Sequence, residues 1–374
     1  MSPTRFRIGV DGRAFASPAG GVRRYVTELY DAMARVAPDV DVVAIGAPAG
    51  TPLPAGATAR AATPFPTNLG WTALSLPLAV RGAGLDVFHA PAYTAPLWGV
   101  HPQAVTIHDV SYERKPEWNA YRNDRWRRAF YRRAALAADS VVTDSSFSRN
   151  EITAAYGIPA DRIAVVPLAA SDAFVAGAFD DTRAPAGVTA PYALHVGDLH
   201  VRRNIRTVLE AMLDLRRQHA WQGSLPRLVC AGIDRGIGAE LTAAAAADPQ
   251  ALVLTGPVPE DTLLNLYRGA FVLAYPSLYE GFGLPVLEAM QCGLPVAIAN
   301  AGSLPEVAGG AGVVLNPIDV RAWREALMSL WRDADMRARL RAAGFARAGQ
   351  FSWTRTADQT LSVLRRCAAE GRRR

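Results

Sequence analysis

The sequence predicts an α/β protein of two Rossmann-like parallel-sheet domains facing a cleft, and three observations carry that expectation. Short β-rich runs alternate with long amphipathic stretches, the alternation that parallel sheets covered by helices require. The series of runs occurs twice, separated at Ser171 to Pro191 by a stretch of Gly, Pro, Asp and Ala without apolar periodicity. At 374 residues, 50% of them hydrophobic, the chain exceeds one ordinary domain and supplies apolar area for two cores.

The first series runs FRIGV, VDVVAIG, LDVFHA, AVTIHD and SVVTDS and ends near VVPLAA, with helical segments at Gly21 to Val36 and Arg122 to Ala137. The second runs YALHVG, RLVCAG, ALVLTG, FVLAYP, LPVAIAN and GVVL. These place an N-terminal domain at 1–172, a linker at 173–190 and a second domain at 191–352. Val320 to Gly349 reads as helical and Arg- and Ala-rich, and Ala243 to Ala247 as helix filler. A last amphipathic helix, about 353–374, is expected to pack back on the N-terminal domain. In open α/β sheets ligands bind beyond the carboxyl ends of the strands, so the chemistry is expected in the turns that follow them.

Of the 40 basic residues only Lys115 is a lysine, so the net charge of +6 is carried by guanidinium groups. A basic balance suits anionic ligands or an anionic membrane surface. Nucleic acid would require a recognisable binding module, and the sequence has none. No run approaches the roughly 18 apolar residues of a membrane span, and MSPTRFRIGVDGR lacks the apolar core of a signal peptide, so a cytoplasmic location is expected. Cys230, Cys292 and Cys367 share no ligand spacing and read as reduced and structural. Asp39-Val40-Asp41 opens a strand and is not taken as a metal motif. Neither Gly9-Val10-Asp11-Gly12 nor Gly232 to Gly238 forms the G-x-G-x-x-G fingerprint of a nicotinamide enzyme.

The most informative segment is YPSLYEGFGLPVLEAMQCGLPV, Tyr275 to Val296. A strand ends at Pro276, Gly281 and Gly283 leave the backbone uncovered, and Pro285 fits the first turn of a helix. Exposed N–H groups at that helix start can take a diphosphate. Glu280 and Glu288 are acceptor-only when ionised and suit the hydroxyls of a sugar and a ribose. A Gly-rich turn with one solvated and one capping glutamate is the structural alternative.

This segment resembles the signature of the retaining glycosyltransferases of the GT-B type, in particular glycosyltransferase family 4 and its bacterial mannosyltransferase-like members. LVLTGPVPEDTLLNLYRGA and AGSLPEVAG resemble the same family's flanking segments. The resemblance implies that Glu280 faces the donor hexose, Glu288 the ribose, and Gly281, Phe282, Gly283 and Leu284 the diphosphate and sugar. In DLHVRRNIRTVLEAM, Arg202 and Arg203 occupy the family's basic pair, and Arg203 stands where the family has lysine. A guanidinium can hold a diphosphate bidentately there. Asp198 departs from the family, and a carboxylate at that place repels phosphate unless an arginine such as Arg202 pairs with it.

In the N-terminal half, Gly20 and Gly21 match the family's glycine loop, and His108 in AVTIHD resembles its active-site histidine. His108 would bond the donor sugar or orient the acceptor, with His89, Tyr93 and Asp109 on the acceptor side. The resemblance implies transfer of a hexose, with GDP-mannose the leading donor, to a glycan or lipid-linked acceptor of bacterial surface polysaccharide. No cofactor or metal is expected, since Arg203 and helix N–H groups supply the positive charge. A sugar-nucleotide epimerase of the same fold and a non-catalytic nucleotide-sugar sensor are the alternatives. NAYRNDRWRRAFYRRAAL carries six arginines between Arg122 and Arg133 with Tyr121, Trp126, Phe130 and Tyr131 among them. Such a helix suits an anionic bilayer or a solvated basic face.

Overall fold

The computed structural model describes residues 5–118, 124–219 and 226–371. It divides into two compact units, Met1–Leu168 with Ser352–Arg374, and Ala169–Phe351. Tyr121 and Arg122 lie outside the described residues.

The first unit is built on a parallel sheet of β1 (Phe6–Asp11), β2 (Val40–Ile45), β3 (Thr58–Arg60), β4 (Val87–Ala90), β5 (Gln103–Thr106), β6 (Ser140–Thr143) and β7 (Ile163–Val165). Their order is β3-β2-β1-β4-β5-β6-β7. β4 and β5 are buried throughout, as central parallel strands covered on both faces must be. The three residues of β3 are all exposed, which is why no apolar run announced that strand. Helix α1 (Gly20–Val36) turns Tyr25, Val26, Leu29, Tyr30 and Met33 inward, the spacing of a helical stripe. Helix α2 (Arg125–Ala137) is capped by Asp124, whose carboxylate accepts the N–H of Trp126. Helix α3 (Ser146–Tyr156) is capped by the Ser145 hydroxyl and stops at Gly157 in the left-handed region, φ 71°.

The second unit has a six-stranded parallel sheet, β8 (Tyr192–Val196), β9 (Leu228–Ala231), β10 (Leu252–Gly256), β11 (Ala270–Tyr275), β12 (Val296–Ala299) and β13 (Val313–Leu315). Its order is β10-β9-β8-β11-β12-β13. Helices α4 (Ile205–His219), α5 (Gly238–Ala244), α6 (Glu260–Gly269), α7 (Leu284–Gln291), α8 (Val320–Arg332) and α9 (Ala334–Ala348) surround it. The helical stretch Val320 to Gly349 is formed by two helices. Asp333 leaves helical geometry at ψ 97°, and its carboxylate accepts the N–H of Met336, starting α9. The alanine run is only partly helical, because α5 ends at Ala244. Residues 173–190 belong to this unit: Phe174 is buried edge-on to Tyr267, and the Asp180 backbone exchanges two 2.8 Å hydrogen bonds with the Asn265 amide.

Helix α10 (Trp353–Gly371) lies in the first unit against α1. The Thr356 hydroxyl donates to the Pro167 carbonyl at 2.7 Å, and Val363 packs with Val142 and Val166. All three cysteines are buried and unbonded to one another, and burial pushes the Cys292 thiol up to about 12. No described helix is long and apolar enough to cross a membrane.

Candidate functional site

In the second unit the side chains of interest gather at the carboxyl ends of β8 and β11, neighbouring strands of one sheet. β11 ends at Tyr275, and the loop beyond it is clamped. The Ser303 backbone N–H donates to the Glu280 carbonyl at 3.1 Å, and its hydroxyl lies 3.1 Å from that oxygen and 2.8 Å from the Phe282 carbonyl. Gly302 sits at φ 63°, and a Cβ there would come within 2.6 Å of the Glu280 nitrogen. Gly283, at φ 97°, takes the cap position of α7.

Arg203 reaches this loop from the turn after β8. Its Nη1 donates to Glu280 Oε1 and to the Tyr275 hydroxyl. The guanidinium also lies over the Tyr275 ring, 5.4 Å from its centroid. Beneath Tyr275, His195 stacks at 5.4 Å and 17°, and its Nδ1 is 3.1 Å from the Ala274 carbonyl. Burial, with the Arg203 charge nearby, pushes His195 down to about 3, so the ring is neutral near pH 7.

The remaining expected donor-side residues have different surroundings. Arg202 Nη1 donates to the Tyr279 carbonyl at 3.1 Å, so this arginine pins the loop ahead of Glu280. The partner of Asp198 is Arg235, at 2.9 Å, and not Arg202. Glu288 is 2% exposed, and its Oε2 accepts from the Tyr267 hydroxyl at 2.7 Å. Gly281, Phe282 and Gly283 are buried and Leu284 is half-buried. The Phe282 ring meets Phe351 edge-on at 6.1 Å.

In the first unit His108 stands just beyond β5, and Asp144 follows β6 directly. Because β5 and β6 are parallel neighbours, their ends place the two side by side, with His108 Nδ1 2.8 Å from Asp144 Oδ2. Asp144 is 3% exposed, and burial raises its carboxyl above the usual 3.8 while the His108 charge opposes the rise. Tyr25 and Tyr93 meet the imidazole edge-on at 4.7 and 5.8 Å. Tyr93 holds a positive φ of 57°. Asp109 Oδ1 accepts from both the backbone N–H and the hydroxyl of Ser111, starting the short helix Ser111–Arg114.

His89 does not reach an open surface. It is fully buried, 2.8 Å from the Tyr30 hydroxyl at Nδ1 and 2.8 Å from the Thr106 hydroxyl at Nε2, and burial pushes it down to about 3. The expectation of an acceptor-side role fails because this residue lies within β4, in the sheet core. Gly20 and Gly21 form the first turn of α1, and added Cβ atoms would meet nothing within 4 Å. Asp39 and Asp41 pair with Arg365 and Arg5. Among the described residues no three or more His, Cys, Asp or Glu side chains group as a metal site.

Sequence reasoning missed Asp144, Tyr275, Ser303 and Tyr267. Each stands in or beside a quoted segment, but its partner is distant in sequence.

Two parallel α/β sheets, with Arg203 and Glu280 paired beside the end of the second, are the frame against which the comparisons with known proteins stand. Residues 190–333 match the family described as Glycosyl transferases group 1, and residues 19–172 match Glycosyltransferase Family 4. O-antigen chain mannosyltransferase B of Escherichia coli is 33% identical over 289 residues, 75% of this chain and 74% of that protein. A D-inositol 3-phosphate glycosyltransferase of Acidothermus cellulolyticus is 32% identical over 63% of this chain, a stretch that spans 55% of that protein. The solved sucrose-phosphate synthase of Thermosynechococcus elongatus shares the fold, with a TM-score of 0.75 at 20% identity, covering 98% of this chain and 100% of that one. The chain belongs to the family 4, group 1 glycosyltransferases and is an enzyme of that class.

Proposed function

We propose that the protein transfers mannose from GDP-mannose, with retention of the anomeric configuration, to a glycan or lipid-linked glycan in the assembly of a bacterial surface polysaccharide, working in the cytoplasm. The observation that carries this reading is the Arg203–Glu280–Tyr275 cluster at the carboxyl end of β11, in a chain similar to an O-antigen mannosyltransferase. Arg203 would neutralise the diphosphate as the anomeric bond breaks, when its negative charge is greatest. Glu280 would accept from hexose hydroxyls and Glu288 from the ribose. His108 is the first unit's contribution, a ring that bonds a sugar hydroxyl. No metal is assigned a role.

The test is protection against thermal unfolding by a panel of nucleotide sugars, followed by transfer assays. A ligand at one hundred times its Kd should stabilise by about 2.7 kcal/mol. GDP-mannose is expected to protect more than GDP-glucose or UDP-glucose. Protection by uridine nucleotides alone would overturn the donor assignment.

A second partner, the anionic membrane, is favoured by α2, where Trp126 is 79% exposed with Arg125, Arg132 and Arg133 exposed beside it. Arg128 is engaged by Glu113 at 3.5 Å and is left out of the test. Replacing Arg125, Arg132 and Arg133 with glutamine should weaken vesicle binding by up to about 1 kcal/mol per arginine, with donor hydrolysis intact. Wild-type protein that ignores phosphatidylglycerol vesicles at low salt would make α2 a solvated face.

A further inference from the structure

We propose that the Arg203–Glu280 pair distinguishes a donor that still carries its sugar from the spent nucleoside diphosphate, an inference that rests on the donor reading above. The two side chains are only 15% and 8% exposed, and each is the other's charge partner. A diphosphate arriving at Arg203 therefore competes with Glu280. If it wins, a nearly buried carboxylate loses its cation, a strongly unfavourable state unless other donors replace it. A bare nucleoside diphosphate brings no such donors. A nucleotide sugar brings hexose hydroxyls, and a carboxylate accepts from them readily.

The surroundings suit an exchange of partners made by side chains alone. The Glu280 backbone is held by Ser303 and by the close approach of Gly302, which leaves its side-chain torsions as the easiest to change. Arg203 keeps a second anchor in the Tyr275 hydroxyl, and the Tyr275 ring is itself stacked with His195. The arginine thus stays in place while its anion changes. Once the sugar has left, Glu280 recaptures Arg203 and the spent diphosphate is expelled, which favours turnover over product inhibition.

The experiment is calorimetric titration of wild type, Glu280→Gln and Glu280→Asp with GDP, UDP, GDP-mannose and UDP-glucose. Glu280→Gln should bind the matching nucleoside diphosphate about tenfold tighter than wild type, by about 1.4 kcal/mol. Its affinity for the matching nucleotide sugar should be unchanged or weaker, so the preference for the sugar-bearing ligand collapses. Glu280→Asp keeps the charge but shortens the reach, and should give a smaller rise of the same kind. An unchanged ratio in Glu280→Gln, or equal tightening of both ligands, would overturn the discrimination while leaving the donor site standing. Wild-type protein that binds none of the four would overturn the donor site itself, and the inference with it.

Discussion

If Arg203 holds the diphosphate as proposed, Arg203→Ala should lower kcat by about 10²–10³-fold, with a smaller change in donor KM, because the cation would be needed most when the leaving group carries its full charge. The structure adds a second expectation. Removing the guanidinium strips Glu280 of its cation and the Tyr275 hydroxyl of a donor, both in a nearly buried setting, so the variant should also unfold at a lower temperature. Arg203→Lys separates the two effects: an ammonium can pair with Glu280 and restore stability, yet it offers a point charge where the guanidinium offers a fork. Lysine is therefore expected to recover most of the stability and part of the turnover. Normal turnover in the alanine variant would place the leaving group elsewhere. Arg202 would be the first residue to test, although it is engaged with the Tyr279 carbonyl.

The fold was legible because buried parallel strands read as continuous apolar runs and surface helices as periodic ones. Where that signal was lacking, the reading failed: β3 is three exposed residues. In the second unit the candidate residues Glu280 and Glu288 could be picked out because they lie on one continuous segment, whose glycines mark its turn. What surrounds them could not. Arg203 meets Tyr275 across 72 positions, and Ser303 supports Glu280 across 23, because the sheet order brings those strand ends together. His89 misled for a related reason. A histidine near the end of a strand run looked free to project outward, but it lies in β4 with both ring nitrogens hydrogen-bonded inside the core. Asp198 was rightly marked as a charge in need of a partner, and the loop after β9 supplied Arg235.

Asp144→Asn should reduce kcat by about 10²-fold, although Asp144 stands behind His108 rather than on a ligand. An ionised carboxylate can only accept, so its bond to Nδ1 requires that nitrogen to carry the proton and makes Nε2 the basic nitrogen of the ring. Asparagine can present its NH₂ instead, which favours the opposite tautomer and turns Nε2 into a donor. His108→Ala should cost about as much, and the double variant little more than either single one, because the two side chains act as a unit. Stability should move differently. Burial raises the Asp144 carboxyl above 3.8, so this group's contribution to stability is fully present below that pH and is lost as the pH rises through the raised value. Above the raised value the wild type bears the cost of a buried charge, partly offset by His108, and asparagine removes it. The variant should therefore unfold at the same temperature as wild type or higher above that value, with the difference shrinking as the pH falls through it. A variant that loses both activity and thermal stability would make Asp144 a structural residue of the first unit; one that keeps full activity would show that the tautomer set by Asp144 has no part in the chemistry.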